Sequence, residues 1–205
     1  MKAAKAIIFL LAMSGVVAAN AAISAYDLVK QTSDRMIAAL KDKSDELDQN
    51  PKLIYDLVDE IILPHFDFER MSQLVLGKYW NRISADQRGQ FINEFRSLLV
   101  RTYATAMSEY SDEKIDFLPF RSDDKADDVT VKTEVDQKGG FPVPIDYSLY
   151  LKQGEWKVYD VSIDDVSLVV NYRTSFATEI KQSGVDGLIK KLQERNRQAL
   201  NPGSE

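Results

Sequence analysis

The sequence predicts an α+β fold, with helices first, then one antiparallel sheet, then helices again. Three observations carry this expectation. Apolar residues recur at helical spacing as far as Met107. They alternate with period two from about Lys114, and after Asp164-Asp165 they return to every fourth residue.

The elements follow in chain order. Lys2 and Lys5 precede an apolar run from Ala6 to Val17, and Ala19-Asn20-Ala21 then reads as a small-x-small cleavage site. The run is shorter than the ~20 residues a spanning helix needs. Residues 1–21 are therefore expected to be a signal peptide and 22–198 a single exported domain, with 199–205 a disordered tail.

A first helix is expected from Tyr26 to Leu40, with Val29, Met36 and Leu40 on one stripe. Asn50-Pro51 reads as a cap followed by proline at the first helical position. It opens a second helix whose Leu53, Ile54, Leu57, Val58, Ile61 and Ile62 form an apolar face, and Pro64 stops it. Asp67 is placed to cap a third helix and Gly77 to end it. Ser84-Ala85-Asp86-Gln87 has the spacing of a capping box and opens a helix of roughly 25 residues. Phe91, Phe95, Leu98, Thr102 and Ala106 share one face of it, flanked by Ile92, Leu99, Tyr103 and Met107.

Four strands are expected at Ile115–Leu118, Val129–Val135, Ile145–Leu151 and Glu155–Ile163, with one apolar face against the helices. Leu168, Tyr172, Phe176 and Ile180 then mark one C-terminal helix, and Val185 to Glu194 a second. The junction from Gly154 to Phe176 sets an apolar strand against an apolar helix. Such a corner is either ordinary core or the wall of an apolar pocket.

Composition excludes several classes of function. The chain has no cysteine, so it has no disulfide, no thiolate metal site and no lipidated cysteine. Removing Lys2 and Lys5 with the leader leaves 24 basic and 32 acidic residues, a net charge of −8. That balance disfavours nucleic acid and anionic membrane surfaces. His65 is the single histidine, which rules out a histidine-rich metal site, and at a helix junction it reads as packed or capping rather than catalytic. Asp123, Asp124, Asp127 and Asp128 lack the EF-hand spacing and read as a solvated turn. Asp164-Asp165 reads as a turn and helix cap, and no glycine-rich phosphate loop is present. Leu76-Gly77-Lys78-Tyr79-Trp80 reads first as core packing. Arg173, in Asn171-Tyr172-Arg173 at the edge of the corner, is suited equally to a phosphate or to a surface carboxylate.

Several of these segments together resemble the MlaC family of periplasmic phospholipid-binding proteins, also called the toluene-tolerance family. They are the leader, Asp67-Phe68-Glu69-Arg70-Met71, Leu76-Gly77-Lys78-Tyr79-Trp80, the Gln87–Phe91–Phe95 helix and the block Val166 to Phe176. The resemblance spans about Tyr26 to Glu194; His65 and the second aspartate of Asp164-Asp165 depart from it. It implies a twisted antiparallel sheet of about four strands covered by helices, related to the nuclear-transport-factor-2-like architecture, with an apolar internal cavity. It also implies a monomeric carrier that is not an enzyme and needs no cofactor. Such a carrier moves phospholipid between the outer-membrane MlaA complex and the inner-membrane MlaFEDB transporter, meeting the latter through MlaD, and so maintains outer-membrane lipid asymmetry.

On that reading the apolar pattern nominates Phe91, Phe95, Leu98, Tyr103, Tyr147, Leu149, Trp156, Val158, Leu168, Val169 and Tyr172 for acyl chains, with Arg173 at the head-group rim. A small-molecule enzyme on the same architecture, using His65 or an aspartate, and a periplasmic chaperone remain as alternatives.

Overall fold

The computed structural model describes residues 23–109, 113–120, 126–137 and 139–200. The expected leader lies outside them, as do Asp123 and Asp124 of the acidic cluster and the last five residues of the expected tail.

Helix α1 (Ala25–Asp42) starts where Ser24 accepts a hydrogen bond from the Asp27 amide, and it buries Leu28, Val29, Met36 and Leu40. The polar run after it forms a short helix, α2 (Ser44–Gln49), with Asp45 and Glu46 in its first turn, where acidic side chains suit the helix dipole. The N-cap of α3 (Leu53–Ile61) is Lys52 and not the expected Asn50; Asn50 ends α2, its carbonyl accepts from the Leu53 amide at 3.0 Å, and Pro51 lies in the turn ahead of the helix rather than at its first position. A 3-10 turn at Leu63–His65 ends α3.

The chain then meets the sheet. Phe66 bridges Val158 in parallel fashion, and the Asp67 amide donates to the Val158 carbonyl at 2.9 Å. This contact fixes the start of α4 (Phe68–Leu76), which Asp67 caps through the Arg70 amide. Gly77 ends α4 at φ +53°, and an added Cβ there would also meet the Arg173 guanidinium at 3.2 Å. A 3-10 segment (Gly77–Arg82) buries Trp80 in the core. The expected capping box opens α5 (Ala85–Glu109). The Gln87 amide donates to Ser84 Oγ at 3.1 Å, and the Ser84 amide donates to Gln87 Oε1 at 2.9 Å.

The sheet is an antiparallel meander in the order β1-β2-β3-β4-β5. Its strands are β1 (Ile115–Phe117), β2 (Asp128–Val135), β3 (Val143–Lys152), β4 (Glu155–Ile163) and β5 (Val166–Ser167). The four expected strands are present, and the fifth adds two residues. Val129, Val131 and Thr133 of β2 face the helices beside Leu149, Tyr147 and Ile145 of β3, whereas Thr130 and Lys132 face solvent. A register shift at Ser148/Leu149 lets Val158 and Val161 of β4 both reach the covered side.

Asp164-Asp165 is a two-residue hairpin turn between β4 and β5, with φ +51° and +59°, and it is not a helix cap. The cap of α6 (Leu168–Leu200) is Ser167, whose Oγ accepts from the Val170 amide, and Asp160 accepts from the Val169 amide. Gly184, at φ +72° and ψ 179°, divides α6 into the two expected segments. Ala199 and Leu200, placed in the tail by sequence, remain helical.

Two apolar clusters result. The larger packs α4, α5 and α6 on the sheet, with Met71, Phe91, Phe95, Val131 and Leu149 almost fully buried. The smaller joins the second half of α1 and α3 to α5 through Met36, Leu40, Ile54, Leu57, Val58, Ile61 and Ala104.

Candidate functional site

Between these clusters lies a cavity of about 180 Å³. Helix α1 contributes Leu28, Val29, Thr32 and Ser33 to its wall; α3 and the following turn contribute Val58, Ile62, Leu63 and His65. Phe66, Phe68 and Met71 close it beside α4, and Leu99, Val100, Tyr103, Ala104 and Met107 come from α5. The sheet supplies Ile145, Tyr147, Val158, Val161 and Ile163, and Leu168 begins α6. No carboxylate is in this wall, and its polar atoms belong to hydroxyls and one imidazole.

Of the eleven residues nominated for acyl chains, Tyr103, Tyr147, Val158 and Leu168 are brought together around the cavity. The other seven lie outside its wall. Phe91 and Phe95 are fully buried between α5 and α6, with ring centroids 5.7 Å apart, and both meet Phe176 at 5.9 Å. Tyr172 stacks edge-on against Phe95 at 5.3 Å. Leu98, Leu149 and Val169 are buried in the same larger cluster, and Trp156 packs against it. Arg173 is exposed and rests beside Gly77, away from the cavity wall.

The wall residues that pattern reading did not nominate have a recognisable signal. On α5 the cavity lies on the flanking stripe of Leu99, Tyr103 and Met107, one step around from the Phe91–Phe95–Leu98 stripe that meets α6. On α1, Leu28 and Thr32 are four residues apart, as are Val29 and Ser33. The small and polar members of that stripe carry no apolar weight, although they sit where a wall needs room.

The charge states follow from the surroundings. Burial raises the Tyr147 phenol to about 12, with a hydrogen bond to Thr133 acting against it. Burial also raises Tyr103 to about 12, reinforced by Tyr172. Both stay neutral near pH 7. His65 is held below its ordinary value by burial first, then by the neighbouring Lys157 and Arg35. The wall is therefore uncharged near neutral pH.

Beside the cavity, a surface groove shares Phe66 and Phe68 with it, and Asp67, Lys152, Gln153, Glu155 and Lys157 complete the groove. The Lys152 ammonium donates to the buried Asp67 carboxylate at 2.6 Å, and Tyr150 donates to the same oxygen. Lys157 donates to the Pro64 carbonyl at 3.1 Å and pairs with Glu155 at 3.0 Å.

Among the described residues, no three His, Cys, Asp or Glu side chains are grouped to hold a metal, and no helix is long and apolar enough to cross a membrane. The arrangement is suited to enclosing an apolar ligand.

The family model for MlaC protein matches residues 30–194. The intermembrane phospholipid transport system binding protein MlaC of Haemophilus influenzae is 28% identical over 185 residues, covering 89% of this chain and 86% of that protein. Toluene tolerance protein ttg2D of Pseudomonas putida is 28% identical over 167 residues, covering 81% of this chain and 77% of its own. Among solved structures, the phospholipid-binding protein of Ralstonia solanacearum, in complex with a phospholipid, superposes with a TM-score of 0.80 at 35% identity. That match covers 87% of this chain and all of the other.

Proposed function

The chain belongs to the MlaC protein family, and on that premise we propose that it is a periplasmic phospholipid carrier. The lipid's acyl chains occupy the cavity between the two apolar clusters. The carrier works between the outer-membrane MlaA complex and the inner-membrane MlaFEDB transporter, meeting the latter through MlaD, and so maintains outer-membrane lipid asymmetry. The signal-like residues 1–21 support export, and the phospholipid held by the Ralstonia relative supports the class of ligand.

One observation carries the reading: a cavity whose wall is almost wholly apolar, free of carboxylates and uncharged near pH 7. Each methylene exposed to water costs about 0.8 kcal/mol. Two acyl chains of about thirty methylenes together would cost on the order of 20 kcal/mol to move bare through an aqueous space. A carrier must replace the bilayer with comparable apolar surface, and the wall between α1, α3, α5 and the sheet has that character. The acidic exterior favours release from anionic membranes. We assign no catalysis to the site, because the cavity wall holds no carboxylate to orient His65.

Native mass spectrometry of the purified protein tests the carrier reading. A bound phospholipid is expected, or uptake from vesicles after delipidation; neither occurring defeats the reading. For the wall, Leu168→Asp places a charge against acyl chains and is expected to abolish loading while the protein still melts cooperatively. Normal loading by that variant would remove Leu168 from the site.

A further inference from the structure

We propose that the groove beside the cavity is a phosphate subsite, in which Lys157 and Lys152 hold the phosphodiester of the lipid whose chains lie in the cavity. The inference rests on the carrier reading and adds the site of head-group recognition, which pattern reading had placed at Arg173.

Continuity is the first support. Phe66 and Phe68 stack at 5.9 Å and are walls of both the cavity and the groove, so a ligand leaving the apolar interior at these rings meets the groove at once. The second support is donor capacity. An ammonium carries three N–H donors. Among the described residues, Lys157 uses two acceptors, the Pro64 carbonyl and Glu155, and Lys152 uses Asp67 alone. Donors therefore remain for an anion.

The third support is preorganisation. Asp67 is 7% exposed and fixed by the Arg70 amide, so its pair with Lys152 is anchored to the start of α4. The Lys157 side chain is only 23% exposed and held over the Pro64 turn. Two ordered ammonium groups thus stand at the rim of the apolar cavity, each paired with one groove carboxylate, Lys152 with Asp67 and Lys157 with Glu155. His65 nearby is held low by burial first, with Lys157 and Arg35 adding to it and Glu155 acting against it. Glu155, 72% exposed beside Lys157, leaves room for the cationic end of a zwitterionic head group.

The test is a competition. Dioleoyl phosphatidylglycerol and dioleoylglycerol, which share acyl chains, are offered together in mixed vesicles to delipidated protein, and the captured lipids are counted by native mass spectrometry. The wild type is expected to favour the phospholipid. Lys157→Gln should lower that preference by about tenfold, the scale of one charge-assisted hydrogen bond. Lys157→Arg should keep most of it. An unchanged preference in Lys157→Gln overturns the proposal, and so does an equal loss of both lipids, which would mean a damaged cavity. Excess inorganic phosphate is expected to leave the preference intact; erasing it would make the groove a free-phosphate site instead. Capture of neither lipid by the wild type would defeat the carrier reading itself.

Discussion

At the scale of single residues, Asp67 joins three parts of the molecule. Its side chain caps α4 through the Arg70 amide, and its backbone amide donates to the β4 edge at Val158. Its outer oxygen takes hydrogen bonds from Tyr150 of β3 and from Lys152. Burial alone would push this carboxyl up, but the bonds from Lys152, Tyr150 and the Arg70 amide outweigh burial and leave it below its ordinary 3.8. The sign of its pH dependence follows. A depressed carboxyl contributes its stability above 3.8, and the contribution is lost as pH falls through the folded value. Lys152 is raised, so its share is present below 10.5 and lost as pH rises through its own folded value. His65 is lowered, so the unfolded chain binds its proton more readily and stability declines as pH drops below 6.5. Acid unfolding should therefore show two steps, one beginning below 6.5 and one below 3.8. Asp67→Ala removes a cap and orphans two donors, and is expected to cost about 2–3 kcal/mol at neutral pH. In chemical denaturation across pH it should erase the lower step and keep the upper one. A variant that keeps both steps would show that Asp67 is not the source of the lower one.

At the scale of elements, α5 carries two apolar stripes with different duties. Phe91 and Phe95 are spent on α6, through an aromatic cluster that includes Tyr172 and Phe176. Leu99, Tyr103, Ala104 and Met107 are turned to the cavity. The sequence makes the helix legible, because a capping box and 3.6-residue spacing are local properties. Which stripe faces a void is not local: it depends on where α1 and α3 come to rest, and Leu98 and Tyr103 look alike as text. The strands were legible for the same local reason, whereas β5 was hidden by its two-residue length. At Asp164-Asp165 the turn is legible in the sequence and the cap is not borne out, because aspartate suits both and only the positive φ at both positions distinguishes them. Two predictions belong here. Asp165→Gly relieves a left-handed backbone that costs a non-glycine residue about 1 kcal/mol, partly offset by glycine's greater entropy when unfolded. A gain of a few tenths of a kcal/mol in denaturant unfolding is expected, and a loss would show that Asp165 holds the turn through its side chain. Ala104→Phe, on the cavity stripe, adds a ring where space exists. It should block lipid capture in native mass spectrometry while the melt stays within a few degrees of wild type. Retained capture would place the acyl chains elsewhere.

At the scale of the whole molecule, the cavity and its proposed occupant differ in size. About 180 Å³ is below the roughly 300–1,000 Å³ of pockets that enclose drug-sized ligands, and two acyl chains are larger than most of those. Loading must therefore enlarge the space, and the packing indicates where. The wall is shared between two separate apolar clusters, with α3 and the second half of α1 in the smaller one. Moving that pair outward breaks few contacts within the main core. Separating α5 from α6 would open the aromatic cluster of Phe91, Phe95, Tyr172 and Phe176, and parting β2 from β3 would break a ladder of eight register pairs. Interiors pack nearly as densely as organic crystals, so such a void opens along a seam rather than by uniform swelling. Hydrogen exchange should reveal the seam when delipidated and phospholipid-loaded protein are compared. The amides of α3 and the second half of α1 are expected to change most, while those of β2, β3 and the α5–α6 contact remain as protected as before. A change centred on α6, or one spread evenly over the chain, would show that the molecule opens somewhere other than between its two cores.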